Sequence, residues 1–519
     1  MRLRGSHAIC EATGFLALAV LWAGPARAGA QSAVVVNADS IAARVRAFAH
    51  DSMLGRAAGS QSYERAATYL AREVLRMGLR PGGDSSSFLQ RIPLVEAQLD
   101  SQRTLLSREA VPGSRDGKRP GGPRLSFRQG IDFHPMVPIP GLSVPRTASV
   151  AGRTVYGGRL GSTTMVRPEQ ARGRIVVFRA PMRPDGGPDY QVWRLASELA
   201  LYKDAAAILI VSIELIPPGV IEDWNRPRLE VREGGRTRGL LPPLVAITYA
   251  TAWQLLIDND ESPPLSAESV GEERRQARVS YTTRSSVPRG VTSNIVAILP
   301  GADPQLGGEI VVVSASADHL GSAPTDPNAR YFLPPPGDSV FNGANAGGSG
   351  AIAVLELAQW FSRQSNRLPR TVLFLWTAQA GSDAGASRFL DQWRSRDGRI
   401  VAHINLDRIG SAESARRSDG TFVLLDTSDV LRWVCTSNHN AFVRRGIPSV
   451  LVTTGGYTHL DLLSDNPEGL DYNHFTSVVR WTATFASDVA RGAATAELRG
   501  AGTSLGCTKA GTEPGMSPH

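Results

Sequence analysis

The stretch VVVSASADHLG, residues 311–321, decides how the rest of the chain is read. Val311, Val312 and Val313 make a short continuous apolar run, the pattern of a strand buried on both faces of a sheet. The run gives way to Ser316, Asp318 and His319, polar groups set where the strand ends. Ligands of open α/β sheets bind beyond the carboxyl ends of the strands, so this position marks a candidate site.

Working outward, the chain after Thr292 alternates strands and helices. The patterns predict strand 310–315, helix 349–363, strand 371–377, helix 384–396, strands 400–406 and 447–453, and a closing helix with Phe475, Val478, Thr482, Phe485 and Val489 on one face. Apolar strands alternating with helices imply an α/β fold with a mostly parallel sheet covered on both faces. Upstream, Ala66, Leu70, Val74 and Met77 recur at helical spacing within Ser62 to Met77, and Gly78 and Pro81 supply the stop. Residues 84–130 combine a short strand, Phe88 to Val95, with a loop rich in Arg, Gly and Pro around 112–123. Between 145 and 285 the pattern changes to strands Arg174 to Phe178, Ala206 to Ile213 and Leu244 to Ile247, with a helix through Trp193, Leu199 and Tyr202. That block is long enough to fold alone.

A chain of 519 residues holds two or three full-sized domains, since domains run to roughly 100–200 residues. Arg2 and Arg4, the apolar run Gly14 to Gly24, and small residues at Ala26-Arg27-Ala28 or Ala28-Gly29-Ala30 form a secretory signal pattern, which predicts a secreted or periplasmic protein. No other stretch approaches the roughly 18 uninterrupted apolar residues of a membrane span. From Gly492 onward the composition is that of a disordered tail. Cys10 lies in the signal; an oxidising compartment permits a bridge between Cys435 and Cys507, and two unpaired thiols are the equal alternative. The formal charge of +8 comes almost wholly from arginines scattered along the chain, with Lys118, Lys203 and Lys509 the only lysines. No basic run or aromatic-interleaved basic patch occurs, which argues against nucleic-acid binding.

Read in order, the strand ends carry Ser316, Asp318 and His319; the loop FNGANAGGSG; TAQAG at 377–381; NLDRIG at 405–410; and GGYTHLDLLSDNPEGLDY at 455–472. With SMLGRAAGSQSYERAATYLAREVLRMGLRPGG, TSNIVAILPG and GIPSVLVTTG, this order of motifs resembles the co-catalytic zinc exopeptidases of metallopeptidase family 28. The block at 145–285 resembles the protease-associated domain inserted in secreted members of that group. The implied layout is a signal peptide at 1–30, an N-terminal helix and strand segment at 31–144, the inserted domain at 145–285, the aminopeptidase-like domain at 286–491 and a tail at 492–519.

The resemblance implies two zinc ions held by five side chains, with a glutamate as general base. Carried over position by position, the first histidine ligand falls on Ser316, while the aspartate that orients it remains as Asp318. The bridging aspartate falls on Ala346. The paired glutamates fall on Gln379, the general-base position, and Ala380. One aspartate ligand survives as Asp407, and the last histidine falls on Asp461. Catalytic zinc needs about three protein ligands and an open position, and Asp407 and Asp461 supply one oxygen donor per ion. Gln379 cannot take a proton, which removes a contribution of typically ~10²–10⁴-fold in rate. The substitutions also act together, because carboxylates crowded without their metal would repel one another in a partly dry cleft.

The expectation is therefore an exported, aminopeptidase-like pseudoenzyme with no bound cofactor, acting on a peptide or protein ligand through binding. The alternative is an active aminopeptidase with a remodelled single-metal site, in which His319 and His459 join Asp318, Asp407 and Asp461 around one zinc. His403, within a strand, and His439 are read as structural. Ser316 lacks the elbow of a serine nucleophile, and GANAGGSG lacks the lysine and spacing of a phosphate loop. That loop is read as a turn, with Ser349 near the start of the helix.

Overall fold

The computed structural model describes residues 36–109, 123–136, 144–145, 147–182, 187–188, 196–216, 221, 225, 228–231, 241–257, 265–322, 337–378, 384–393, 398–412, 437–454, 459 and 462–492. The signal pattern, the tail beyond Gly492 and all three cysteines lie outside them, as does Trp193. The elements that frame the site are, in chain order, α1 (Ala38–Phe48), α2 (Gln61–Arg76), β1 (Leu89–Leu99), β2 (Thr147–Arg159), β3 (Ile175–Arg179), β4 (Ala207–Val211), β5 (Leu244–Ile247), β6 (Glu273–Leu299), β7 (Glu309–Ser316), α3 (Gly350–Ser362), β8 (Thr371–Thr377), α4 (Ala384–Gln392), β9 (Arg399–Leu406), α5 (His439–Val443), β10 (Ser449–Val452) and α6 (Tyr472–Arg491). The predicted strands and helices after Thr292 all form within a few residues of their expected ends.

Strand order in the C-terminal part is β10-β9-β7-β8-β6. Strands β10, β9, β7 and β8 are parallel, and β6 closes that side antiparallel to β8. The chain leaves β7 for β8 on one side, then crosses back over β7 to β9 on the other. Crossovers of one hand that run in opposite directions put their helices on opposite faces. The packing follows this rule. On one face α4 and α5 lay Phe389, Leu390 and Phe442 on Ile310, Val312, Leu373 and Leu375. On the other, Trp376 Nε1 donates to the Ala351 carbonyl of α3 at 2.9 Å, and Phe374 meets Phe361. Neighbouring residues of β8 thus serve both layers, which is why the strand reads as unbroken apolar sequence. Each fully buried aromatic of this kind contributes about 2–3 kcal/mol by area removed from water.

Two N-terminal helices brace the α3 layer. α2 is capped by Ser60, whose Oγ accepts the Tyr63 N–H at 3.1 Å, and it buries Tyr63, Ala66, Ala67, Leu70 and Val74. The phenol of Tyr63 donates to the Ser293 carbonyl of β6 at 2.7 Å. α1, with Ile41, Val45 and Phe48 buried, is pinned by Arg44, which donates to Glu356 of α3 at 2.6 Å.

β6 is the longest strand and pairs with strands of both parts of the chain. Its sequence reads poorly as a strand because Pro288 and Gly290 interrupt it. The structure answers with register shifts between Ser285 and Pro288 and between Pro288 and Val291, bulges that absorb the missing N–H. Beyond it, β2, β3, β4 and β5 form a second, largely parallel ladder with its own apolar clusters.

Candidate functional site

The reversal of strand order beside β7 brings three carboxyl strand ends together: Ser316 of β7, Thr377 of β8 and Leu406 of β9, followed by Asp407. The residues singled out from sequence at these ends, Ser316, Asp318, His319, Ala346 and Asp407, are all buried. Gln379, Ala380 and Asp461 lie outside the described residues.

The floor of the cleft is held by an arginine that sequence reading passed over. Arg56 is fully buried, with left-handed backbone at φ 51°. Its Nε donates to the Ala317 carbonyl (3.2 Å), Nη1 to those of Phe48 (3.0 Å) and Asn342 (2.7 Å), and Nη2 to that of Gly343 (2.9 Å). The guanidinium also lies over the Phe48 ring, 4.6 Å from its centroid. Burial lowers its pKa to about 10, against the opposing pull of Asp465 and Asp318, so it remains a cation at neutral pH. The His319 N–H donates to the Arg56 carbonyl at 3.1 Å, tying the segment after α1 to the end of β7.

The glycine-rich loop forms a wide, kinked turn over 344–349, its backbone leaving helical values at Ala346 (φ -77°, ψ 109°) and Gly347 (φ 80°). Asp465, also missed from sequence, governs it: its carboxylate accepts the Asn345 N–H at 2.8 Å and the Ala346 N–H at 3.0 Å. Gly343 needs its freedom, since φ is 57° and a Cβ would lie 2.4 Å from the His319 ring. That contact seats His319 beneath the loop. Ser349 does not cap α3; its hydroxyl lies 2.8 Å from the Asn345 carbonyl and accepts the Ile409 N–H at 3.0 Å, while Asn345 Oδ1 accepts the Gly410 N–H. The loop bearing Ala346 and the loop bearing Asp407 are thus joined by side chains.

Asp407 itself is not an open carboxylate. Arg408 donates to its Oδ2 from Nη2 at 2.6 Å and from Nε at 3.1 Å, and both side chains are about nine-tenths buried. The remaining histidines divide. His403 is fully buried, bonded through Nε2 to Ser314 (2.7 Å) and through Nδ1 to Ser449 (2.6 Å), and stacked on Phe442. Burial pushes its pKa well below the ordinary value. His439 is buried beside it; burial lowers its pKa to about 4 against the pull of Asp407. His459 Nδ1 lies 2.9 Å from Ser464 Oγ within its own loop.

This arrangement defines the class: an α/β protein of aminopeptidase-like fold with its cleft at the carboxyl edge of the parallel strands. Residues 294–486 match the model of Peptidase family M28. It is also similar to an aminopeptidase from Aneurinibacillus sp. strain AM-1 (16% identity, covering 88% of this chain and 94% of that one, TM-score 0.44). A zinc aminopeptidase from Bacillus subtilis aligns at 16% identity over 88% and 96% of the two chains (TM-score 0.42), and a peptidase M28 precursor from Shewanella amazonensis SB2B at 13% over 87% and 96% (TM-score 0.34). No curated protein matches the chain.

The family implies zinc in this cleft, and the described donors do not fit it. Ala346 offers a methyl group and an N–H turned to Asp465, Ser316 offers a hydroxyl, and Asp407 is engaged by a cation. Among the described residues, no group of three or more His, Cys, Asp and Glu side chains is placed to hold a metal ion.

Proposed function

We propose that this is an exported M28-family protein that has given up hydrolysis and acts by binding a peptide or protein segment in the cleft, with the block at 145–285 as a protease-associated domain. The observation that carries the reading is at Ala346. Where a bridging carboxylate would face a metal pair, Ala346 has a methyl group and its N–H is turned to Asp465, and among the described residues no group of three or more His, Cys, Asp and Glu is placed to hold a metal ion. Arg56 faces Asp318 and Arg408 holds Asp407, so these carboxylates are already countered and the cleft does not depend on metal for charge balance. Gln379 and Ala380 remove the base and a further ligand.

Two measurements test the reading together: metal content of the full chain purified without chelator, and hydrolysis of aminoacyl arylamides. The expected result is substoichiometric zinc and no chelator-sensitive turnover. Stoichiometric zinc with hydrolysis that a chelator abolishes would overturn it in favour of the remodelled single-metal aminopeptidase.

A further inference from the structure

We infer that Arg408 is the built-in cation of this cleft, a guanidinium that takes over the neutralisation of Asp407 and thereby closes the position to divalent metal. The inference rests on the non-hydrolytic reading and adds to it: metal is excluded by an occupant as well as by missing ligands.

The geometry is unusual for neighbours in sequence. Successive side chains of an extended chain point to opposite faces, so a residue directly after a strand-end aspartate does not ordinarily reach its carboxylate. Arg408 reaches Asp407 because it leaves the extended conformation altogether, with φ at 54°, in the left-handed region that a non-glycine residue enters at a cost on the order of 1 kcal/mol or more. The turn is held from outside. The Thr454 N–H and hydroxyl both donate to the Arg408 carbonyl, at 3.1 and 2.7 Å, and the Asp407 N–H donates to Val452 at 3.0 Å. Folded back in this way, Nε and Nη2 converge on one carboxylate oxygen.

The electrostatics explain why the residue has to be a cation. Asp407 is buried at the end of β9, and an ionised carboxylate there needs a positive partner to offset its desolvation. A divalent ion is one such partner and an arginine is another; the two compete for the same oxygen, and a guanidinium already bonded at 2.6 Å is displaced only by breaking that pair.

The test uses the full chain in two multiply substituted forms. The first carries Ser316→His, Ala346→Asp, Gln379→Glu, Ala380→Glu and Asp461→His with Arg408 retained. The second carries the same changes with Arg408→Met. Zinc affinity is read by competition with a chromophoric chelator. The second form is expected to bind zinc at least about tenfold more tightly, the size of effect seen when a ligand's immediate partner is altered. Equal affinity in the two forms, including no binding by either, overturns the role given to Arg408. Failure of the non-hydrolytic reading itself shows separately, as zinc bound by the unaltered chain. Should the multiple variants not fold, the cycle of Arg408→Met, Asp407→Asn and the double change decides by melting temperature. Arg408→Met is expected to lower it in the parent and much less in the Asp407→Asn background; equal shifts in both backgrounds overturn the pairing.

Discussion

Arg56 shows what one side chain can organise. Its guanidinium satisfies four carbonyls that belong to α1, the end of β7 and the glycine-rich loop, three segments far apart in sequence. Removing it strands those acceptors and takes away a buried cation that interacts with Asp318 and Asp465. Arg56→Met is therefore expected to lower unfolding free energy by about 3–5 kcal/mol, the range for breaking a buried charged network. Arg56→Lys should recover only part of it, because an ammonium cannot address several acceptors in the plane of a fork. Urea denaturation of the three proteins measures this, and a lysine variant as stable as the parent would show that charge alone matters. Nothing in the local sequence announces the role. SMLGRAAGS has no periodicity, and the left-handed backbone at Leu54, Gly55 and Arg56 is imposed by close packing, since a Cβ on Gly55 would meet the Gly321 carbonyl oxygen at 2.2 Å.

At the scale of elements, α1 and α3 are joined by the Arg44–Glu356 ion pair, with Arg44 also donating to Gln359 at 2.5 Å. Glu356 is buried on α3 and its carboxyl pKa is raised by burial, with Arg44 pulling the other way. Arg44→Ala leaves that carboxylate without its guanidinium and is expected to cost about 2 kcal/mol, whereas Glu356→Gln, which removes the charge that needed a partner, should cost less. Thermal melts of the two variants decide it, and the reverse order would sink the argument. The turn over 344–349 depends likewise on Asp465. An amide there accepts through one oxygen only, so Asp465→Asn should loosen the Asn345 and Ala346 N–H groups and speed their hydrogen exchange. Elements of this kind were legible in sequence when their apolar period was clean. α2 and the parallel strands fall within a few residues of their expected ends because helical spacing and unbroken β-branched runs report burial directly. β6 was not legible, because Pro288 and Gly290 look like breakers and only tertiary pairing turns them into bulges. Arg408 escaped notice for a related reason: sequence assigns it to the face opposite Asp407, and only its left-handed backbone reverses that.

For the molecule as a whole, the candidate site divides along the same line. Positions such as Ser316, Ala346 and Asp407 follow from motif order, while the groups that hold the site together, Arg56 and Arg408 as cations and Asp465 as acceptor for the Ala346 turn, come from segments whose conformation no local pattern encodes. A second global property does follow from burial, namely the response to acid. His134, His403 and His439 are buried, and burial depresses all three pKa values, that of His439 to about 4. Unfolded, each titrates near 6.5. Between the two values the unfolded chain binds protons that the folded chain refuses, so stability is full above about pH 6.5 and is lost as pH falls toward the depressed values. Each such histidine contributes a slope of up to about 1.4 kcal/mol per pH unit. The carboxyls of buried Glu356 and half-buried Glu64, whose pKa values are raised, act in the opposite sense, because the folded form takes up their protons first. Urea unfolding at pH 7.5, 6.5 and 5.5 should show stability falling mainly over the last step. His403→Gln, which keeps a hydrogen-bonding side chain between Ser314 and Ser449 but cannot take the proton, should reduce the fall between pH 6.5 and 5.5 by about 1 kcal/mol. A parent whose stability is level from pH 7.5 to 5.5 would mean that water or a carboxylate reaches these imidazoles and that their burial is not what holds them neutral.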